Sequence, residues 1–164
     1  KMVDIGIDRP GAFELTRYMR DKGVVVSIAH SKSGYDLMME AMEHGITHAT
    51  HLYNVMTGLH HRRPGLVGAA LAGSCFAEVI CDGIHIHPSV VRAVFQLFGA
   101  DRVILVSDSL RATGMPDGRY PFGGQEIEVH GNRATMVGDP NTLAGSVTSL
   151  MGCQIGRASC RERV

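Results

Sequence analysis

The sequence has no net charge, no long apolar run, no paired cysteines and neither of the common glycine-rich phosphate motifs. Each absence removes a class of function. Sixteen basic side chains are matched by sixteen acidic ones, so no long-range field draws the chain to nucleic acid or to an acidic membrane. No apolar stretch is long enough to cross a bilayer. The opening Lys1-Met2-Val3-Asp4 does not read as a secretory signal. The cysteines, Cys75, Cys81, Cys153 and Cys160, form no CxxC pair, which points to a reducing, cytoplasmic setting rather than a disulfide framework. Cys75 and Cys81 read as small buried hydrophobes. A GxGxxG after a strand and a GxxxxGK[ST] are both missing, so no nucleotide fold is indicated.

What is present is a repeating alternation of helix and strand. Pro10 suits a first helical turn and Gly23 a stop, with Ala12, Leu15 and Met19 on one face. Val24-Val25-Val26-Ser27-Ile28-Ala29 is a β-branched run without alternation, as expected of a strand buried on both faces. Ser33 is a candidate helix cap, and Tyr35, Met38, Met39 and Met42 follow with helical spacing up to Gly45. A second strand is expected over residues 46–51. After a longer loop come a third over residues 77–81 and a fourth over 102–106, separated by a helix that opens at His87-Pro88 and buries Val91, Val94, Phe95 and Phe98. Successive βα units of this kind fit a (β/α)8 barrel or a doubly wound sheet. Beyond Asp108 the texture changes. Residues 126–129 and 133–137 flank His130-Gly131-Asn132 as a β-hairpin.

The chemistry-bearing residues gather where the strands end. The first strand runs into His30, the second into His51 and Asn54, the third into Asp82 and His85, and the fourth into Asp108. In a (β/α)8 barrel these ends converge on one mouth. Neutral imidazoles there suit zinc, iron or manganese. An Asp beside a metal-activated water suits a general base. A single histidine at a strand end is more often structural than a ligand; two histidines and an Asp on successive ends indicate a metal-dependent hydrolase of open substrate.

The remaining histidines, of nine in all, take plainer readings. His44 falls in a last helical turn, His48 packs within a strand, His87 caps a helix and His130 lies in a turn. The His60-His61-Arg62-Arg63-Pro64-Gly65 segment reads either as a solvated basic loop or as an anion clamp, since arginine forks onto phosphate.

Ala29-His30-Ser31, Thr47-His48-Ala49-Thr50-His51-Leu52-Tyr53-Asn54, His61-Arg62-Arg63-Pro64-Gly65, Asp82-Gly83-Ile84-His85, Ser107-Asp108, Gly114-Met115-Pro116-Asp117-Gly118 and Thr142-Leu143-Ala144-Gly145-Ser146 follow one another as in the N-acetylglucosamine-6-phosphate deacetylases of the amidohydrolase superfamily, which the chain resembles from about residue 13 to about residue 150. The resemblance implies an α/β fold: the last four strands of a TIM-like metal-dependent hydrolase barrel with a β-hairpin insertion, over residues 1–154. It implies His30 and His51 as metal ligands, Asp108 as catalytic acid/base and His85 near the scissile amide. Asn54, Val55 and Arg62 would line the sugar phosphate site, Asp82, Gly83 and Ile84 would extend the substrate contacts, and Leu143, Ala144 and Gly145 would close over the substrate. The implied reaction is deacetylation of a phosphorylated amino sugar, N-acetylglucosamine 6-phosphate, to glucosamine 6-phosphate and acetate. The implied cofactor is a divalent ion (zinc, iron or manganese), and the implied assembly is a homodimer.

The family's glutamate metal ligand, from an earlier strand, has no counterpart here, and Arg63 stands where an acidic residue is common. Residues 155–164 look like a translated sequencing adapter and are expected to be a non-native tail. Half a barrel leaves strand edges unpaired, so the polypeptide alone is expected to be poorly soluble and inactive. Two other readings compete: a different metal-dependent amidohydrolase on the same barrel, and a non-catalytic sugar-phosphate-binding protein.

Overall fold

The computed structural model describes residues 1–154 and residue 156. The expected tail, 155–164, lies outside the described residues apart from Gly156. In chain order the elements are β1 (Met2–Ile5), α1 (Ala12–Asp21), β2 (Val25–Ile28), α2 (Tyr35–Glu43), β3 (Ile46–Ala49), α3 (Gly65–Ala72), β4 (Phe76–Ile80), α4 (Pro88–Phe98), β5 (Val103–Val106), β6 (Gly118–Phe122), β7 (Gln125–His130), β8 (Arg133–Met136) and β9 (Asp139–Leu143). They divide into two compact units. The first comprises Lys1–Val79 with Ala93–Ile104, and the second Ile80–Arg92 with the residues from Leu105 on.

One sheet has the order β1-β2-β3-β4-β5, and the pairs from β1 to β4 are parallel. The order is sequential and has no reversal, as in a singly wound sheet; a doubly wound sheet would show a switch point. The expectation of four strands is corrected to five. Met2–Ile5 escapes a sequence reading because it is four residues long, shows only one buried position and carries an Asp in its middle.

The first unit's core follows from the strands' composition. Val26, Ile28, Ala49, Ala77 and Val79 are almost completely buried, as β-branched and small residues are on a sheet covered on both faces. Helix α1 buries Ala12 and Thr16, whereas Leu15, expected inside, is 42% exposed. The inward face is thus rotated towards Thr16, whose hydroxyl donates to the Ala12 carbonyl. Helix α2 buries Met38 and Ala41, in keeping with the expected Met-rich face, although its N-cap is Gly34 rather than Ser33. Helix α3 occupies what reads in sequence as a long loop. All of its residues from Gly65 to Ala70 are buried, so it lacks the polar face whose periodicity marks a surface helix.

The second unit contains a four-stranded antiparallel sheet, β6-β7-β8-β9. The expected hairpin is its middle pair: His130 faces Arg133 across a two-residue link, and Gly131 takes φ 60° there, a left-handed value that tight hairpin links require. Ala112, Ile127, Val129, Ala134 and Ala144 form its small core. Cys75, Cys81 and Cys153 are buried, and burial pushes Cys75 up to about 11 against the lowering effect of Arg102. The burial of Cys75 and Cys81 is as the sequence predicts.

Candidate active site

In the first unit, the ends of β2 and β3 bring two of the expected residues together. The His30 and His51 rings stack with centroids 4.9 Å apart and an interplanar angle of 25°. His51 is buried and His30 exposed. The backbone around them is anchored strand to strand: the Ala29 amide donates to the Ile5 carbonyl, the Thr50 amide to Ile28 and the Leu52 amide to Glu78. Both histidines have positive φ, 47° for His30 and 35° for His51. Among the described residues the other non-glycine positions of this kind are Tyr53, Val55, Ser74 and Asp108. Such backbone costs about 1–3 kcal/mol per residue and clusters at functional sites. Four of these six positions are ones the sequence had singled out for chemistry.

Two imidazoles so placed supply donors that zinc, iron or manganese accept. Among the described residues, no group of three or more His, Cys, Asp or Glu side chains gathers around one point. The pair therefore fits part of a coordination shell and does not complete one.

Asn54 turns its side chain inward on its own loop: the amide donates to the carbonyls of His51 at 3.0 Å and Leu52 at 3.3 Å. Its first role is to hold the turn that carries His51. Val55 is 58% exposed at φ 52°. Arg62 is exposed and lines a cavity of about 640 Å³ with Gly34, Asp36, Thr57, His60 and Arg63. Neither His30, His51 nor Asn54 lines this cavity, so the basic loop and the histidine pair occupy different places in the unit. Thr57 links their supporting loops, donating to the Ser33 carbonyl at 2.6 Å and accepting from the Leu66 amide at 2.7 Å.

In the second unit, Asp82 and His85 form a tight dyad. Asp82 Oδ1 accepts from the Ile84 and His85 amides, each at 2.9 Å, while Oδ2 lies 2.7 Å from His85 Nδ1. Their side chains are 1% and 6% exposed. Burial pushes the Asp82 carboxyl up, but the hydrogen bonds from the His85 side chain, the His85 and Ile84 amides and the charge of His85 outweigh it, leaving the carboxyl below its ordinary value. With Nδ1–H committed to a carboxylate, the neutral ring presents Nε2 as an acceptor. Gly83 and Ile84 belong to the same turn.

Asp108, also in this unit, is exposed at φ 49°. Its carbonyl accepts from the Ser146 amide at 2.9 Å, and the Ser146 carbonyl accepts from Leu110 at 2.8 Å. The segment after β9 thus lies directly along the Asp108 loop. Gly145 makes that approach possible: its φ is 65°, and a Cβ there would stand 3.1 Å from the Asp108 carbonyl and 2.9 Å from Leu110. Leu143 ends β9, and Ala144 is packed in the small core.

The plainer histidine readings hold in several places. His44 is the C-cap of α2 and packs on Phe13. His48 stacks on Phe76, and its burial pushes its pKa down. His87 Nδ1 accepts from the Ser89 amide as a helix cap. What the sequence did not reveal is Asp4, which receives the Thr50 hydroxyl at 2.7 Å; the only signal was an Asp inside an otherwise apolar four-residue run.

No protein-family model matches the chain. It is 41% identical over 151 residues to N-acetylglucosamine-6-phosphate deacetylase of Bacillus subtilis (strain 168), covering 92% of this chain and 38% of that protein. It is 35% identical to N-acetylgalactosamine-6-phosphate deacetylase of Escherichia coli O157:H7, covering 92% and 39%. Among solved structures, N-acetylglucosamine-6-phosphate deacetylase of Thermotoga maritima matches with TM-score 0.90 and 28% identity, over 98% of this chain and 44% of that one. A mutant of the Mycobacterium smegmatis enzyme in complex with N-acetyl-D-glucosamine-6-phosphate matches with TM-score 0.87 and 33% identity, over 97% and 44%. The chain spans about two fifths of the length of the curated relatives it matches, and over that span it is a homologue of the N-acetylglucosamine-6-phosphate deacetylases.

Proposed function

We propose that the chain carries the metal-binding histidine pair and the acid/base carboxylate of a deacetylase that converts N-acetylglucosamine 6-phosphate to glucosamine 6-phosphate and acetate. The observation that carries this reading is the stacking of His30 on His51 at successive strand ends, both on strained backbone. His30 and His51 would hold a divalent ion, which supplies Lewis-acid polarisation to hydrolysis.

Asp108 acts first as a base, taking a proton from the attacking water as its oxygen bonds to the acetamide carbon. It then acts as an acid, returning that proton to the nitrogen as the C–N bond breaks. His85, held through Nδ1 by Asp82, offers Nε2 to the substrate amide. Arg62, with Asn54 and Val55 nearby in sequence, receives the 6-phosphate, and Leu143, Ala144 and Gly145 border the substrate. Full activity belongs to a longer, dimeric, cytoplasmic protein. The present chain alone, with β1 and β5 at the edges of its five-stranded sheet, is inactive and poorly soluble.

The test is amine release from N-acetylglucosamine 6-phosphate by the full-length protein, with metal present or chelated. Metal-dependent release is expected. A folded, metal-loaded protein that releases nothing overturns the reading. The Escherichia coli relative makes N-acetylgalactosamine 6-phosphate the second substrate to assay; faster turnover of that epimer would replace the substrate named here.

A further inference from the structure

A hydrogen-bonded row in the first unit joins β1, β2 and the residue that follows β3. Thr50 Oγ1 donates to Asp4 Oδ1 at 2.7 Å and lies 2.6 Å from Ser27 Oγ. The Thr50 hydroxyl has one proton, and a carboxylate can only accept. The row therefore has a direction: Ser27 donates to Thr50, and Thr50 donates to Asp4. Ser27 is completely buried on β2, three residues before His30. Thr50 directly precedes His51. Asp4 sits on β1 and pairs in register with Ser27. Beside them Glu78, 7% exposed, accepts the Leu52 amide through its carbonyl at 2.7 Å.

His51 is thus bracketed by two fixed neighbours. Thr50 is tied through its side chain to β1 and β2 and through its amide to Ile28, and Leu52 is tied to β4. A residue held at φ 35° stays there only where its surroundings over-determine it. Hydrogen bonds to a carboxylate are the stronger kind, and this one joins segments 46 residues apart.

We propose that Thr50, anchored by Asp4 and Ser27, is a positioning residue that sets the spacing of His30 and His51 for a divalent cation. The inference rests on the proposed role of that pair. It makes Asp4, Ser27 and Thr50 determinants of cation affinity without any of them touching the ion.

The test uses the full-length protein loaded with cobalt(II), whose visible spectrum reports ligand geometry, and measures cobalt affinity and spectrum in variants. Thr50→Val keeps the shape and removes the hydroxyl. It is expected to weaken cobalt binding by about 10–100-fold, the usual cost of losing a group that orients a metal ligand, and to shift the spectrum. Thr50→Ser restores the hydroxyl and both readouts. Should Thr50→Val fail to fold, Asp4→Leu replaces an exposed strand residue and is expected to cause the same loss, while Asp4→Asn, which still accepts, retains most of the affinity. Wild-type affinity and spectrum in folded Thr50→Val or Asp4→Leu overturns the proposal. Loss of affinity in these variants, in a protein that releases no amine from the sugar phosphate, overturns the deacetylase reading and leaves this one standing.

Discussion

The two histidine arrangements of this chain are held in opposite ways. His85 is fixed by its own turn: the carboxylate that grips Nδ1 and the two amides that grip the carboxylate all lie within residues 82–85. His30 and His51 are fixed from a distance, by strand pairing, strained backbone and a hydroxyl row reaching back to Asp4. A local device survives so long as its few residues keep their turn. A distributed device depends on the register of three parallel strands, and so on the whole unit. The difference teaches where each is vulnerable: the dyad to loss of one carboxylate, the pair to any slip of the sheet.

The largest effect is expected at neither arrangement but at the exposed carboxylate assigned the proton transfers. Asp108→Asn should lower amine release by about 10²–10⁴-fold, with no change in melting temperature because the side chain is exposed. A parallel loss of stability would show that the residue holds its loop instead.

His51→Ala sharpens the comparison directly. Bound metal per chain should fall well below that of the wild type by elemental analysis, while His85→Ala leaves it unchanged. Equal metal loss in both would merge the two arrangements into one.

Asp82→Asn tests the local device. Removing a charged partner from a nearly buried pair should cost about 1–3 kcal/mol in denaturant unfolding at pH 7. The sign with pH follows from linkage. The Asp82 carboxyl is held below its ordinary value of 3.8 in the folded protein, so it contributes stability above the unfolded pKa and loses it as pH falls through the folded one. The difference between wild type and variant should therefore shrink below about pH 4; a difference that stays constant with pH would remove the charge from the explanation.

The smallest effect is expected at Glu78, the buried carboxyl beside the distributed row. Burial, then the negative charge of Asp4, pushes it above its ordinary value of 4.5. The folded state then binds the proton more tightly, so stability is lost as pH rises through the unfolded pKa towards the folded one. Glu78→Gln should raise the melting temperature at pH 7 by a few degrees and by less at pH 4. A lower melting temperature at pH 7 would mean that the ionised carboxylate is a net stabiliser of the row.

Much of this was legible before any coordinates. A β-branched run marked β2, expected strands over residues 46–51, 77–81 and 102–106 marked β3 to β5, Gly131 marked the hairpin link, and the position of His30, His51, Asp82, His85 and Asp108 after those strands marked the chemistry. The Asp82–His85 dyad was not read from the sequence, which offered both residues only as substrate contacts; the turn of Gly83 and Ile84 brings them together. Helix α3 was not legible, because a helix buried all round shows no amphipathic period. Nor was β1, a short edge strand with a single buried position.

By itself, then, the sequence determined the strands β2 to β5, the helices between them other than α3, and the hairpin, because periodicity and turn chemistry are written within a few positions. Only the tertiary structure decided that Leu15 faces outward and Thr16 inward, that the basic loop lines a cavity apart from the histidine pair, and that Asp4 and Ser27 secure Thr50. The last of these depends on contacts 23 and 46 residues apart in the chain, and the register that creates them exists only once parallel strands have paired.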